Sequence, residues 1–117
     1  MTTTSSSAAD VVSEYFSAFG HGDTAAARKL LWDNLDFKGP LDTFTNAGDL
    51  MKTLSALAPI VKGMEMQKVL VDGDDVATFY DMLTPMGSSP IAEWHHVRDG
   101  KIDKIRVYFD PRPFVHP

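Results

Sequence analysis

The sequence predicts one α+β domain in which helices come first and a twisted antiparallel sheet curls over them around an interior pocket. Three observations carry that expectation. Apolar residues near the start recur at helical spacing, as in Val11, Val12, Tyr15, Phe16 and Phe19. Beyond Pro59 the period changes, and four β-rich runs follow one another. The turns between those runs are too short for parallel crossovers, which need about a dozen residues or more.

Each element has its own signal. The first helix ends at Gly20-His21-Gly22, because glycine readily takes the left-handed C-terminal cap. Asp23 suits the N-cap of a second helix through Ala25, Ala26, Ala27, Leu30 and Leu31, closed by Trp32. Leu35 to Lys38 reads as a short strand stopped by Gly39-Pro40. A third helix starts at Asn46, with the Asp49 carboxylate at the positive end of its dipole. Leu50, Met51, Leu54 and Leu57 form its buried stripe, and Pro59 ends it. The strands then run Met64–Val71, Val76–Leu83, Ile91–Arg98 and Lys101–Phe109. Asp72-Gly73-Asp74, Pro85-Met86-Gly87 and Asp99-Gly100 are the turns between them.

Bulk properties narrow the function classes. A chain of 117 residues holds one core. Its 44% hydrophobic and 23% charged content is that of an ordinary soluble domain. A formal charge of −5, with basic residues scattered no more densely than Arg28-Lys29, argues against a nucleic-acid partner. The absence of cysteine excludes disulfides, a thiol nucleophile and thiolate metal sites, and fits a reducing cytoplasm. No apolar stretch approaches the ~18 residues that cross a bilayer, so no membrane association is expected. Residues 1–7 are polar and read as a disordered leader, leaving 8–117 as the domain. No cofactor is expected: there is no phosphate loop, dinucleotide fingerprint or metal spacing. His95-His96 is not a metal pair either, since neighbours on a strand point oppositely.

This order of elements, together with four short motifs, resembles the NTF2-like superfamily. The motifs are Gly22-Asp23, Phe37-Lys38-Gly39-Pro40, Val97-Arg98-Asp99-Gly100-Lys101-Ile102, and the ending from Arg106 to Phe114. Within the superfamily the chain looks like the SnoaL-like branch, with its ketosteroid isomerases, polyketide cyclases and limonene epoxide hydrolase. The resemblance covers roughly residues 8 to 114. It implies a cone-shaped, curved antiparallel sheet packed on about three N-terminal helices, with a mostly apolar cavity. It also implies a homodimer formed through the convex face of the sheet.

Strand alternation sends every second side chain to one face. Counting back from Asp99-Gly100, Glu93 matches the position where isomerases and cyclases of the family carry an essential aspartate. Glu93 and His95 are therefore expected in the cavity, with Ala77, Phe79, Asp81 and Leu83 from one neighbouring strand and Ile105, Val107 and Phe109 from the other. Trp94, His96, Thr78 and Tyr80 are expected on the outer face. Tyr15 matches the isomerases' oxyanion-hole tyrosine. The expected catalytic set is Glu93, His95, Asp81 and Tyr15, and the expected ligand wall is Trp32, Phe37, Phe79, Val107 and Phe109.

Such a set suits acid/base chemistry, since an apolar site raises a carboxyl pKa toward working pH. Ketosteroid isomerases keep one carboxylic acid neutral in this way so that it donates a hydrogen bond. Glu93 is expected to do the same with Tyr15 as second donor, and Asp81 or His95 to be the base. The chain departs from its relatives elsewhere. The isomerases' first-strand aspartate falls on Gly39 or Lys38. Of the epoxide hydrolase's Asp–Arg–Asp set only Asp81 has a match, the others falling on Phe79 and Val107. The expected ligand is a small hydrophobic carbonyl compound, isomerised or cyclised without a cofactor. Alternatives are a non-catalytic binding module or a dimerisation module. Met64, Met66, Met82 and Met86 are read as packing, and Phe109 to Phe114 as a structural latch.

Overall fold

Serine, aspartate and asparagine side chains cap the three helices. The computed structural model describes residues 7–112. Ser7, counted above with the leader, is the N-cap of α1 (Ala8–Gly20), its hydroxyl accepting from Asp10 N at 3.1 Å. Asp23 caps α2 (Thr24–Lys29) by accepting from Ala26 N. Asn46 caps α3 (Ala47–Leu57) by accepting from Asp49 N. A 3₁₀ turn at Ala58–Ile60 contains Pro59 and ends that helix. The rest of the predicted leader, residues 1–6, and Pro113-Phe114 of the predicted latch lie outside the described residues.

Six strands form one sheet: β1 (Leu31–Lys38), β2 (Thr43–Phe44), β3 (Gly63–Asp72), β4 (Asp75–Thr84), β5 (Gly87–Arg98) and β6 (Lys101–Tyr108). Their spatial order is β2-β1-β6-β5-β4-β3. The last four make the expected antiparallel meander. The sheet as a whole is mixed, because β1 lies parallel to β6. Register shifts in β1, β3 and β6 mark bulges, which bend strands and strengthen their twist.

Two sequence expectations need correction here. The second helix stops at Lys29, and Leu31 and Trp32 belong to β1, which is twice the predicted length. Leu31 and Leu35, four apart, mimic a helical stripe. Ile102 opposite Leu31 on β6 draws the segment into the sheet instead, and Leu31, Leu35 and Ile102 are all at most 1% exposed. The second correction is the parity of β4. Val76, Thr78, Tyr80, Met82 and Thr84 are its buried residues, while Phe79 is exposed. Thr84 pairs with Gly87, so the loop is the two residues Pro85-Met86 rather than three. That one-residue difference flips every side chain of the strand.

The core lies between the concave face of the sheet and the helices. Val11, Val12, Tyr15 and Phe16 of α1 and Leu50 of α3 pack over Val76, Ile91, Val97, Ile102 and Ile105. Each fully buried aliphatic side chain contributes about 1.5–3 kcal/mol. Met64 and Met82 pack inside, whereas Met66 and Met86 are exposed. Among the described residues no helix is long and apolar enough to cross a membrane.

Candidate active site

The helices do not fill the cone. A cavity of about 230 Å³ remains between Tyr15, Phe16 and Phe19 of α1, Leu50, Leu54 and Leu57 of α3, and the concave sheet. Phe37, Tyr80, Met82, Ile91, Glu93, Val107 and Phe109 form the sheet side. Gly39 to Asp42, between β1 and β2, belong to its wall, with Leu41 and Asp42 exposed at the rim. Gly39 needs its lack of a side chain little, since an added Cβ would lie 3.4 Å from the Phe37 ring. Among the described residues that line it there is no lysine, arginine or histidine.

Glu93 is the one carboxylate in the inner wall. Its place follows from the ladder, which pairs it with Thr78 on β4 and Val107 on β6, so all three share the concave face. Its side chain is 11% exposed. Oε2 accepts a hydrogen bond from the hydroxyl of Tyr80, a diagonal neighbour on β4. Tyr80 is buried, and its ring packs edge-on against Phe16 with centroids 5.3 Å apart. Burial pushes the Tyr80 phenol well above its ordinary pKa, with the Glu93 charge and hydrogen bond adding to it. Tyr15 is also pushed up, chiefly by burial and then by Glu93. The Tyr15 hydroxyl makes no hydrogen bond to a described residue, so it is a free donor on the cavity wall.

His95 is on the same face but not in the cavity wall. It is fully buried, under the edges of Tyr15 and Phe16 at centroid distances of 5.7 and 5.5 Å. Its Nε2 lies 3.2 Å from Glu93 Oε1, but the two are not aligned as a hydrogen bond. Neither ring nitrogen has a hydrogen-bond partner among the described residues. His95 can reach a ligand only through Glu93.

The remaining predicted site residues divide. Phe37, Val107 and Phe109 line the cavity. Asp81 does not: with the parity of β4 corrected it leaves the concave face, and it accepts from Gln67 Nε2 at 3.2 Å. Phe79 likewise faces outward, beside Ala92 and Tyr108 in a shallow outer depression. Trp32 is outside too, because β1 begins earlier than predicted. Its Nε1 donates to Arg98 O at 2.7 Å, and the Arg98 guanidinium lies 4.5 Å from its ring. Trp94 is exposed as predicted, but Thr78 and Tyr80 are buried on the concave face instead of outside. Tyr80 is the site residue that sequence reasoning misses. Reading Pro85-Met86 as a two-residue hairpin loop would have placed it opposite Ile91, beside Glu93.

A six-stranded sheet curved over three helices agrees with the family comparison. Residues 12–105 match the SnoaL-like domain. The chain belongs to that family. The SnoaL-like chain is also similar in structure to an NTF2-like protein of unknown function from Cytophaga hutchinsonii. The two are 27% identical over 97% of this chain and 98% of that one, with a TM-score of 0.84. A de novo designed protein with a curved β-sheet is 26% identical, covering 90% and 86% of the two chains with a TM-score of 0.80. An LEH-like epoxide hydrolase of M. tuberculosis is 19% identical over 91% and 84%, with a TM-score of 0.75, and shares the fold. No curated protein matches the sequence. A natural hydrolase and a designed scaffold on one fold make the point that chemistry must be read from side chains. Among the described residues no group of three or more acidic or histidine side chains could hold a metal ion.

Proposed function

We propose that this SnoaL-like protein binds a small, largely apolar carbonyl compound in the cavity and moves a proton at the carbon beside the carbonyl. The observation that carries this reading is Glu93, a carboxylate in an otherwise apolar inner wall. An apolar wall of that kind would be more stable without a carboxylate. Glu93 is the proton-accepting group, and Tyr80 fixes its orientation through Oε2. The free Tyr15 hydroxyl on the same wall is the donor to the oxyanion that forms when the proton leaves. The 230 Å³ volume is below the ~300–1,000 Å³ of drug-sized pockets and favours a ligand of one or two rings.

The test needs no knowledge of the natural substrate. Cyclohex-2-enone and 2-tetralone are incubated with the protein in deuterated water, and deuterium uptake beside the carbonyl is followed by mass spectrometry. The native protein accelerates uptake, and Glu93→Gln lowers it by ~10²–10⁴-fold while the probe still binds. Exchange that survives in Glu93→Gln would overturn the assignment. A second reading, binding without turnover, has one observation in its favour: the isomerases' first-strand base falls on Gly39 or Lys38, neither a carboxylate. Firm binding of both probes with no exchange would select it.

A further inference from the structure

His95 is the residue of this chain that packing explains least. It is 0% exposed, and neither ring nitrogen finds a hydrogen bond among the described residues. An unpaired buried polar group opposes folding, and a leucine or phenylalanine in the same space would not. Buried groups of this kind need an explanation other than the core. Among the described residues, the polar atom beside it is Glu93 Oε1, at 3.2 Å from Nε2 and out of line. Contacts that work in catalysis are often misaligned until a ligand arrives.

We infer that His95 is a positioning residue that shares one proton with Glu93 and sets the pH range over which that carboxylate accepts a proton from the ligand. This rests on the reading of Glu93 given above and deepens it. For Nε2 to accept a proton from Glu93, the ring carries its hydrogen on Nδ1 at that step. The ligand's C–H bond breaks, its electron pair moves toward the carbonyl oxygen facing Tyr15, and the proton joins Glu93. The proton then passes from Glu93 to Nε2, leaving carboxylate beside imidazolium. Return through Glu93 to a ligand carbon restores both groups, so no other proton donor is consumed.

The surroundings allow little else to interfere. On α1 the titratable group facing His95 is Tyr15, and Tyr80 on β4 reaches it only through Glu93. The cross-strand neighbours of His95 are Val76 on β4 and Ile105 on β6, both apolar and buried. Among these neighbours only the two tyrosine hydroxyls are ionisable, and His95 and Glu93 lie close enough to act on one proton together.

The experiment has two arms. In the first, ¹⁵N signals of the His95 ring and ¹³C signals of the Glu93 carboxyl are followed from about pH 4 to 9 in the intact protein. Both sets are expected to move over one shared interval, and Glu93→Gln is expected to change the His95 response. A His95 ring that stays in one form throughout, indifferent to Glu93→Gln, overturns the inference. This arm does not depend on turnover, so it decides the matter even if neither ketone exchanges. In the second arm, His95→Leu is expected to melt no lower than the native protein while its exchange-against-pH profile shifts by about one unit or more. His95→Gln, which keeps a polar group beside Glu93 but cannot take up the proton, is expected to behave like His95→Leu. A native profile in His95→Gln would mean that a polar contact alone suffices, and the proton-sharing role would fall.

Discussion

His95 and His96 are neighbours in the chain, and each lies beside a carboxylate, yet the two pairs belong to different worlds. Inside, His95 is fully buried, and its contact with Glu93 at 3.2 Å is out of line. Outside, His96 Nδ1 lies 2.6 Å from Asp103 Oδ1, and Arg98 Nε takes the other oxygen at 3.3 Å. The outer pair is the better formed, with side chains 33% and 23% exposed. It is nevertheless the less consequential one. Water competes for surface ion pairs and reduces their worth to ~0–1 kcal/mol. The inner groups have no such competitor, so each donor or acceptor there matters at several times that scale. Good geometry is a sign of easy accommodation, and poor geometry in a dry place is the more informative finding.

The comparison is broken most forcefully at Tyr80. Its hydroxyl is the only hydrogen-bond donor to Glu93 among the described residues. Tyr80→Phe keeps the ring against Phe16 and strands a carboxylate oxygen, at a cost of about 1–3 kcal/mol. Denaturation in urea should show that loss as a lower midpoint with an unchanged slope. An unaltered midpoint would mean that water already solvates Glu93, and that the cavity is wetter than its lining implies.

The same two tyrosines give a pH signature. Burial raises the pKa of both Tyr15 and Tyr80 in the folded protein, above the ~10 of an unfolded tyrosine. The folded state therefore holds those protons more tightly, and the stability they contribute is complete below pH ~10 and lost as pH rises beyond it. Urea midpoints measured from neutral to strongly alkaline pH should fall, and should fall less in the Tyr15→Phe, Tyr80→Phe double variant. Equal slopes in the two proteins would place the alkaline weakness elsewhere.

How legible all this was depends on where each cause sits in the chain. α1, α3 and the meander follow from local periodicity and turn residues, so the sequence carries them. β1 does not. Leu31 becomes strand because of Ile102, a partner brought close only by the folded sheet. In the site, the inward placement of Glu93 follows from the family resemblance, which matches it, counted back from Asp99-Gly100, to the essential aspartate of the isomerases and cyclases. The tyrosine that holds it was hidden by a single decision, whether Gly87 belongs to the turn or to the strand. Thr84 pairs with Gly87, so the hairpin loop is Pro85-Met86, and Asp81 and Phe79 leave the cavity together as Tyr80 enters. The sealing of His95 was not readable at all, because it depends on how Tyr15 and Phe16 of a distant helix settle over it.

The smallest expected effect is on the outer pair. Asp103 holds both His96 and Arg98, so Asp103→Asn removes the carboxylate that both contact. Both partners are partly exposed and stay solvated, so the loss should be no more than about 1 kcal/mol. It should shrink further as salt is raised, since screening already weakens the native contacts. Ketone exchange should be untouched, because the pair faces away from the cavity. The two measurements together separate surface electrostatics from site chemistry. A large, salt-independent loss of stability in Asp103→Asn would show that the convex face is not solvated here, as it would be if a second copy of the chain covered it.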